Sequence, residues 1–518
     1  MSKPTTPSVP WGMRERALSL FSPRAAARSY AGKVSAANLR RSYEGGAKTR
    51  LTDGWKAGST AADTEIAAAG AILRDRMRDL VRNNSLAANA VQVLVSSMVG
   101  PGIRPRANTG DKALDKKVDE LFARWSKKCD AHGHTDFHGL VSLAVREMVE
   151  GGEVFAIKRP RRKSRMREVP LEIEIREADH LDAGRWSAPS DPSVRVAQGI
   201  EYDQTGRRSA YWMFPDHPGD NSPSFRRNLV SQRVPAAMVA HLFERQRVQS
   251  RGVPWGTPAL RALQDLGDWQ LAEMVRKKTE ACMVGIVFGE DGDGTTSAAP
   301  TIEDANGNPI EQFEPGMFAY ARNGKEIKFN TPSSAGGTRE WNVVQMHLIA
   351  AGFRVPYALL TGDLKEANFS SSRVGINEFR RMVDSTQWLT IIPMLCQKIW
   401  DWFTEAAWTA GLIPSPDIAV EWSTPKFESV NPWQDAQTDL LETRAGFTSL
   451  ADQIAKRGYN AEDVLREHKK TLDLADTLEL VLDSDPRKVS RQGLAQANTP
   501  GEAEEPPAPP PPGDNEED

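Results

Sequence analysis

The stretch that decides the fold begins with Arg-Gly-Val-Pro-Trp-Gly-Thr-Pro at residues 251–258 and extends to Trp408. A long helical pattern follows this opening from Ala259 to Cys282, and a turn-rich insert comes next. The helical pattern then returns from Arg339 to Phe353. The sequence therefore predicts two helices joined by an insert, which is not the layout of a catalytic domain.

Turn signals separate the second of these helices from a third. Pro356 and Gly362 mark the turns, and Ser370–Ser372 is expected to cap the helix that follows. Pro393 lies inside that helix and is expected to kink it, because proline lacks an N–H group and clashes with the preceding turn. The apolar positions that recur along this helix at three- and four-residue steps are Leu389, Ile392, Leu395, Ile399, Trp402 and Ala406.

The chain before residue 251 changes from helical to strand-like patterns. Four helical patterns lie between Thr60 and Glu150, and short strands are predicted between Glu153 and Phe243. The strand at Leu171–Ile175 alternates cleanly, so Glu172 and Glu174 are expected on its solvent face. Further short strands are predicted in the insert, at Ile286–Phe288, Met317–Tyr320 and Ile327–Phe329. The fold class is therefore α+β, with a mainly antiparallel sheet.

The two ends of the chain differ from the rest in composition. Residues 1–58 lack a sustained period and are predicted to form an extended, partly ordered arm. Residues 433–488 are predicted to be mostly helical. Residues 489–518 are rich in proline and acidic residues, so they are expected to be disordered.

Three groups of short blocks follow one another between roughly residues 60 and 410. They are Arg82-Asn83-Asn84 with Ala87–Gln92, Val99-Gly100 and Gly102–Arg104; His241–Glu244 with Arg251-Gly252 and Pro254; and Phe369–Arg373 with Asn377-Glu378. In content and order these blocks resemble the lambda-like family of phage portal proteins, which are head–tail connectors at the portal vertex.

The resemblance implies an architecture and a set of partners. Subunits would form a closed ring, expected to be dodecameric, at one capsid vertex, with double-stranded DNA passing through the channel. The ring would bind the terminase large subunit, a head–tail connector protein and the major capsid or scaffold protein. It would be located in the host cytoplasm during assembly and in the virion afterwards. The implied parts are an arm (1–58), a wing (59–257), a stem helix (258–284), a clip (285–338), a second stem helix (339–356), a tunnel loop (357–372), a long kinked helix returning to the wing (373–432), a helical crown (433–488) and a tail (489–518).

The resemblance also implies that the tunnel loop faces DNA. Its polar candidates for the channel surface are Asp363, Lys365, Glu366 and Asn368. One lysine per subunit, repeated around a ring, would attract the DNA backbone without fixing it. An ordinary surface loop is the alternative, because most loops are surface connections.

A basic run between two predicted strands is a second candidate for nucleic-acid contact. It includes Arg161, Arg162, Lys163 and Arg165. Such runs can contact phosphates. A solvated hairpin tip explains the same residues and is the favoured interpretation.

The charge balance argues against tight binding of nucleic acid. The chain has 66 Lys and Arg against 69 Asp and Glu, and residues 501–518 hold seven of the acids and no base. Without them the balance is 66 to 62, whereas tight DNA binders usually show a strong basic excess. A near-neutral protein would bind DNA weakly enough for the DNA to slide past it. The same charge balance is also expected of a protein without a DNA partner.

The sequence gives little support for an enzyme, a cofactor or a membrane protein. The apolar runs are too short to span a membrane, and Cys129, Cys282 and Cys396 are expected to stay reduced. The spacing of Cys129, His132, His134 and His138 fits no zinc pattern, so a polar loop is favoured there. The chain has no phosphate-binding loop, no nucleophile elbow and no His-Glu-x-x-His motif. The rival interpretations are a nucleic-acid enzyme without a recognisable motif and a small DNA-binding module.

Overall fold

The computed structural model describes most of the chain. The described residues are 12–41, 58–162, 168–188, 194–222, 228–281, 285–289, 302–303, 309–310, 318–322, 328–329, 337–363, 369–425, 427, 432–457, 459, 461–482, 485 and 487. Two compact units meet in the sequence between Ala61 and Ala62. The tail predicted at residues 489–518 lies outside the described residues.

The first unit contains two helices, α1 (Met13–Phe21) and α2 (Pro23–Arg41). The buried carboxylate of Glu15 accepts a hydrogen bond from the Ser29 hydroxyl (2.9 Å) and forms an ion pair with Lys33. The prediction of an extended arm is therefore wrong for these residues. That prediction relied on apolar periodicity, which is weak here, whereas a polar contact joins the two helices.

Four helices open the second unit: α3 (Ala62–Asn83), α4 (Ser85–Val99), α5 (Lys112–Ser126) and α6 (Phe137–Glu150). Their positions confirm the helices predicted from apolar periodicity. The side chains of Asn84, Asp111 and Asp136 cap α4, α5 and α6 by accepting backbone N–H groups of the first turn. The apolar faces of these helices form most of the main core.

A three-stranded antiparallel sheet packs against the helices, with β2 (Glu153–Pro160) between β3 (Leu171–Glu177) and β8 (Val239–Phe243). Successive side chains of β2 enter different cores: Val154 lies in the main core and Phe155 in a second core. This alternation follows from the two-residue period of a strand. The sheet is therefore buried on both faces.

A four-stranded antiparallel sheet covers the second core. Its strands, in order, are β4 (Arg195–Ala197), β5 (Ile200–Tyr202), β6 (Arg208–Met213) and β7 (Gln232–Pro235). A separate pair joins β1 (Arg104–Ala107) to β14 (Val420–Ser423). The sequence patterns predict β5 and β6 but not β1, β4, β7 or β14, which are only three or four residues long.

The helices on either side of the insert are α7 (Leu260–Ala281) and α8 (Thr338–Phe353). They pack together: the ring centroids of Trp269 and Trp341 are 4.5 Å apart. Near the start of α7, a Cβ atom on Gly352 would lie only 2.8 Å from the Cβ atom of Ala259. These two contacts make α7 and α8 an antiparallel pair, and both helices confirm the sequence prediction.

The insert contains five short strands: β9 (Gly285–Gly289), β10 (Ile302–Glu303), β11 (Pro309–Ile310), β12 (Phe318–Arg322) and β13 (Lys328–Phe329). The central strand of one sheet is β9, which is parallel to β12 and antiparallel to β13, whereas β10 pairs with β11. The strands predicted in the insert correspond to β9, β12 and β13.

After α8 and the short helix α9 (Tyr357–Thr361), a long helical run crosses the main core. It consists of α10 (Phe369–Thr386), a π-helical segment (Gln387–Cys396) and α11 (Gln397–Thr409). The sequence predicts a kink at Pro393, and the structure has the π-helical segment around that residue. The wider turns of this segment accommodate a residue without an N–H group.

Three helices follow β14: α12 (Pro432–Arg444), α13 (Leu450–Lys456) and α14 (Ala461–Thr477). They lie in the region predicted to be helical. Large apolar side chains such as Leu441 and Phe447 are exposed there. Among the described helices, none combines the length and hydropathy that a membrane span requires.

Candidate functional site at the helix junction and its loop

The buried carboxylate of Glu153, at the start of β2, anchors the segment that leads into α7. It accepts hydrogen bonds from Arg251 Nε (2.6 Å), His241 Nε2 (3.0 Å) and the Gly252 backbone N–H (3.1 Å). Arg208 donates to the other ring nitrogen of His241 at 2.8 Å. Glu153, His241 and Arg251 are all buried, so the junction is built on a polar network inside the protein.

The surroundings of this network set its charges. Burial alone would raise the pKa of Glu153, but Arg251 and the His241 hydrogen bond outweigh it and hold that pKa well below its usual range. Burial lowers the pKa of His241 to about 4, so the ring is neutral at pH 7. Its Nε2 then carries the proton that Glu153 accepts, and its Nδ1 accepts from Arg208.

Two glycines let the backbone pass close to this network. Gly152 has φ +90°, and a Cβ atom there would lie 2.5 Å from the carbonyl carbon of Val253. A Cβ atom on Gly252 would lie 2.0 Å from the carbonyl oxygen of Gly152. No side chain fits at either position. The motif residues Arg251 and Gly252 therefore fix how the chain enters α7.

The end of α8 is tied to the same segment. Arg354 adopts φ +61° directly after α8 and forms an ion pair with Glu244 at 2.6 Å. Its guanidinium carbon lies 4.8 Å from the ring centroid of Trp255, which is almost fully buried. The junction thus holds both ends of the antiparallel pair, the start of α7 and the end of α8.

The α7–α8 pair carries both buried and exposed apolar side chains. Leu263, Leu266 and Phe353 lie in the main core. The apolar side chains exposed on the pair in the single chain are Leu271 (62%), Met274 (53%), Val344 (56%) and Leu348 (58%). Exposed apolar surface of this kind usually marks protein contacts.

The short helix α9 is fastened to α4 and α8. Asn89 of α4 donates its side-chain N–H groups to the carbonyl oxygens of Leu359 (3.0 Å) and Leu360 (2.7 Å). These bonds satisfy carbonyl groups that have no partner within so short a helix. The rings of His347 and Tyr357 are stacked, with centroids 4.1 Å apart. The base of the predicted tunnel loop is therefore fixed.

The loop itself is shorter than predicted. Residues 357–361 form α9 and α10 begins at Phe369, so Ser370–Ser372 lies within a helix and the prediction that it caps one is wrong. Gly362 has φ +72°, and the N–H of Asp363 donates to the Thr361 hydroxyl at 3.2 Å. The other predicted channel residues, Lys365, Glu366 and Asn368, lie outside the described residues.

Three basic residues on the β2 side of the β2–β3 hairpin are paired with acids. The ion pairs are Lys158 with Glu405 (2.5 Å), Arg159 with Glu174, and Arg161 with Glu172 (2.6 Å). The prediction that the two β3 glutamates are solvated is wrong, since both are largely buried in these pairs. Arg162 is exposed, and Lys163 and Arg165 lie outside the described residues. Pairing reduces the positive charge that this hairpin can offer to phosphates.

The loop around Cys129 is held by its own backbone. The carboxylate of Asp130 accepts from the backbone N–H groups of His132 (3.0 Å) and His134 (2.8 Å), and Asp136 caps α6. Burial raises the pKa of Cys129 to about 12, so its thiol stays protonated. These contacts are those of the polar loop favoured by the sequence.

Arg78 of α3 lies among three carboxylates. It donates to Glu177 (2.6 Å) and Asp179 (2.7 Å), and it lies 3.6 Å from Glu147. Glu177, Asp179 and His217 lie close enough together to share a metal ion, but Arg78 already contacts both of these carboxylates. Burial, together with the charge of Glu177, raises the pKa of Glu147 to about 7.

Sequence reasoning singled out neither Glu153 nor Asn89 nor Arg78. Asn89 belongs to a motif block, but a sequence cannot show that its partners are carbonyl groups about 270 positions away. The available signal for Glu153 was a charged residue opening an apolar strand directly after two glycines. A charge in that position is almost always paired.

Comparisons with known proteins agree with the family resemblance that the motif blocks carry. Residues 48–387 match the family described as "Phage portal protein, lambda family". The chain is 26% identical over 459 residues to a "Probable portal protein" of Halomonas phage phiHAP-1, with 83% of this chain and 86% of that protein covered.

Chains of two solved particles are also similar. One is in the neck of an empty GTA particle computed with C6 symmetry, at 14% identity and TM-score 0.42, covering 79% of this chain and 98% of that chain. The other is in the neck of a native GTA particle computed with C12 symmetry, at 15% identity and TM-score 0.40, covering 74% and 93%. The family assignment rests on the sequence match, which spans well over half of the chain: this protein belongs to the lambda family of phage portal proteins.

Proposed function

We propose that copies of this chain close into a dodecameric ring at one capsid vertex and that double-stranded DNA passes through its channel during packaging and ejection. Membership of the family gives the protein a structural, non-enzymatic role as a portal. Beyond that role, we propose that the protein forms the ring, conducts DNA and binds docking partners.

The observation that carries the proposal is the exposure of large apolar side chains on both α7 and α8. Leu271, Met274, Val344 and Leu348 are all more than half exposed in the single chain. A second copy of the pair, rotated about a common axis, would cover these side chains. Repeated head-to-tail contacts that close by rotation give a ring.

The helices and strands of the structure can be assigned to the stem, clip, wing and crown that the portal architecture implies. The α7–α8 pair would be the stem, and strands β9–β13 between its helices would be the clip that docks the terminase large subunit and later the head–tail connector protein. Residues 59–257 would be the wing, to which β14 returns through its pairing with β1. The helices α12–α14 would be the crown. Capsid or scaffold protein would contact the outside of the ring in the host cytoplasm, before the virion is complete.

The loop between α9 and α10 is proposed to face the channel. Asn89 fixes its base through the carbonyl groups of α9, and Gly362 turns the chain away from that helix. Lys365 would place one positive charge per subunit on the channel wall, moderated by Asp363 and Glu366. DNA would be attracted there without being held.

Multi-angle light scattering tests the ring. The purified protein is expected to elute as a particle of many subunits, and negative-stain images should show a ring with a central hole. Leu348→Asp should reduce assembly, because it puts a charge into the apolar contact. The same substitution at Leu229, which is also exposed but lies outside α7 and α8, is the control. A stable monomer across a range of salt and protein concentrations would contradict the proposal.

Packaging assays test the loop. Lys365→Glu and, separately, deletion of residues 364–367 should leave rings intact but impair the amount of DNA packaged per capsid or its retention. Lys116→Glu, at an exposed site on α5, provides a matched charge reversal. Normal packaging and retention in both loop variants would rule out the channel role.

A further inference from the structure

A groove on the wing side of the π-helical segment combines arginines, aromatic rings and apolar side chains. Its volume is ≈ 420 Å³, and its lining includes Arg195, Arg208 and Arg245 but a single acidic residue, Asp63. The carboxylate of Asp63 accepts from the Ser250 backbone N–H (2.6 Å) and hydroxyl (2.9 Å). The groove is therefore positively charged.

The arginines of this groove are not matched by carboxylates in the described part of the chain. Arg208 donates to the neutral groups Tyr211 Oη and Ser250 O and to the ring of His241. The guanidinium of Arg195 lies over the ring of Tyr202, 5.2 Å from its centroid. Arg245 is exposed at the rim. Their charges are thus available to an anionic ligand.

The groove also offers apolar contact. Val248, at its rim, is 90% exposed, and Met394 of the π segment is half-buried in its lining. Arg208 lies over the ring of Phe243, 5.1 Å from the centroid, and that ring is buried. A ligand that is both acidic and rich in compact apolar groups would complement this lining. An extended acidic peptide that contains prolines has this chemistry.

We propose that this groove binds the acidic, proline-rich end of the chain itself, residues 500–518. That segment reads PGEAEEPPAPPPPGDNEED, with seven acids and no base. Consecutive prolines favour an extended polyproline conformation that docks on aromatic and apolar surfaces at low entropic cost. The acids on either side of the prolines would meet the arginines of the groove.

The length of chain between Arg487 and the proline-rich end limits where that end can dock. Residues 488–499 separate Arg487, the last described residue, from Pro500. Twelve extended residues span up to about 40 Å. The inference does not depend on ring assembly, because the groove is complete within one chain.

Titration of a synthetic peptide tests the proposal. The protein ending at Gln496 should bind a peptide of residues 500–518 with one site per chain, and the affinity should fall as salt is raised, since exposed charges are screened. A peptide with its Glu and Asp residues replaced by Gln and Asn should bind with an affinity at least about tenfold lower. The full-length protein should bind the added peptide more weakly than the shortened protein, because its own end competes.

Charge reversals in the protein locate the site. Arg195→Glu and Arg245→Glu, both at exposed positions, should weaken peptide binding at least about threefold each and about tenfold together. Arg162→Glu changes the net charge equally at an exposed site elsewhere and should have little effect.

Three results would overturn the proposal. They are undiminished binding by the double arginine variant, equal binding of the neutral peptide, and equal affinity of the full-length and shortened proteins. A single-stranded oligonucleotide that binds more tightly than the peptide and loses affinity in the same variants would assign the groove to nucleic acid instead.

Discussion

Replacing Arg251 with methionine tests whether the buried ion pair holds the helix junction together. Arg251→Met keeps a long side chain but removes the guanidinium that donates to Glu153 at 2.6 Å. Breaking one side of a buried pair typically costs about 3–5 kcal/mol of unfolding free energy, because the other charge is left uncompensated. His241 and the Gly252 N–H still donate to the carboxylate and Arg74 still lies 3.9 Å from it, so the expected loss is at the lower end, about 3 kcal/mol.

The loss should depend on pH. In the wild type the pKa of Glu153 is held low, so its stabilising contribution is present at neutral pH and is lost only as the pH falls through that low value. In the variant, burial without Arg251 should raise this pKa above its unfolded value. Stability then decreases as the pH rises past the unfolded value, by up to about 1.4 kcal/mol per pH unit. The variant should therefore be more severely destabilised at pH 8 than at pH 5.

Urea unfolding monitored by tryptophan fluorescence measures this loss. Wild type and variant must be compared at equal subunit concentration, because assembly adds concentration-dependent stability. The double variant Glu153→Gln, Arg251→Met should recover much of the loss, since no buried charge is left unpaired. Arg261→Met, at an exposed arginine of α7, controls for the substitution itself. Equal destabilisation at pH 5 and pH 8, or a double variant as unstable as the single one, would refute the reasoning.

Two other substitutions have expected outcomes. Glu147→Gln should raise the melting temperature at pH 8 but not at pH 5. The pKa of Glu147 is about 7 in the folded protein, so the stability that its protonated form contributes is lost as the pH rises from about 4.5 through 7, whereas glutamine stays neutral. Glu120→Gln, at an exposed site, should change the melting temperature at neither pH. Asn89→Ala should cost about 1–2 kcal/mol and speed hydrogen exchange in residues 357–363, because two carbonyl groups lose their donor. Asn108→Ala is its control, and unchanged exchange in α9 would contradict the anchoring role.

The sequence predicted the elements whose signal is local and repeated. The apolar face of α5 is an example: Leu121, Phe122 and Trp125 recur at helical spacing, and all three are buried in the main core. The helices α7 and α8, and the strands β9, β12 and β13 of the insert, also follow from local sequence patterns. Polar positions that begin helices, such as Asp136, also carry a local signal.

The contacts that build the candidate site could not be predicted in this way. Pairing of β1 with β14 joins residues about 300 positions apart, and three or four residues show no period. The partners of Glu153 come from β8 and from the segment before α7, so only the folded chain brings them together. The π segment depends on how its residues meet the core: buried Gln387 donates to the carbonyl oxygen of Met98 at 2.7 Å.

The position of the buried charges gives them a structural purpose in a portal subunit. Apolar packing alone tolerates small sliding of one surface over another, whereas Glu153 is satisfied only when Arg251, His241 and Gly252 all reach it at hydrogen-bond distance. The segment they fix is the one from which α7 leaves the core, and Arg354 fixes the end of α8 beside it. A small error in angle at that junction would move the far ends of both helices by several ångströms. In a closed ring such an error would be repeated in every subunit, so a polar junction with one satisfactory geometry favours subunits that are alike enough to close.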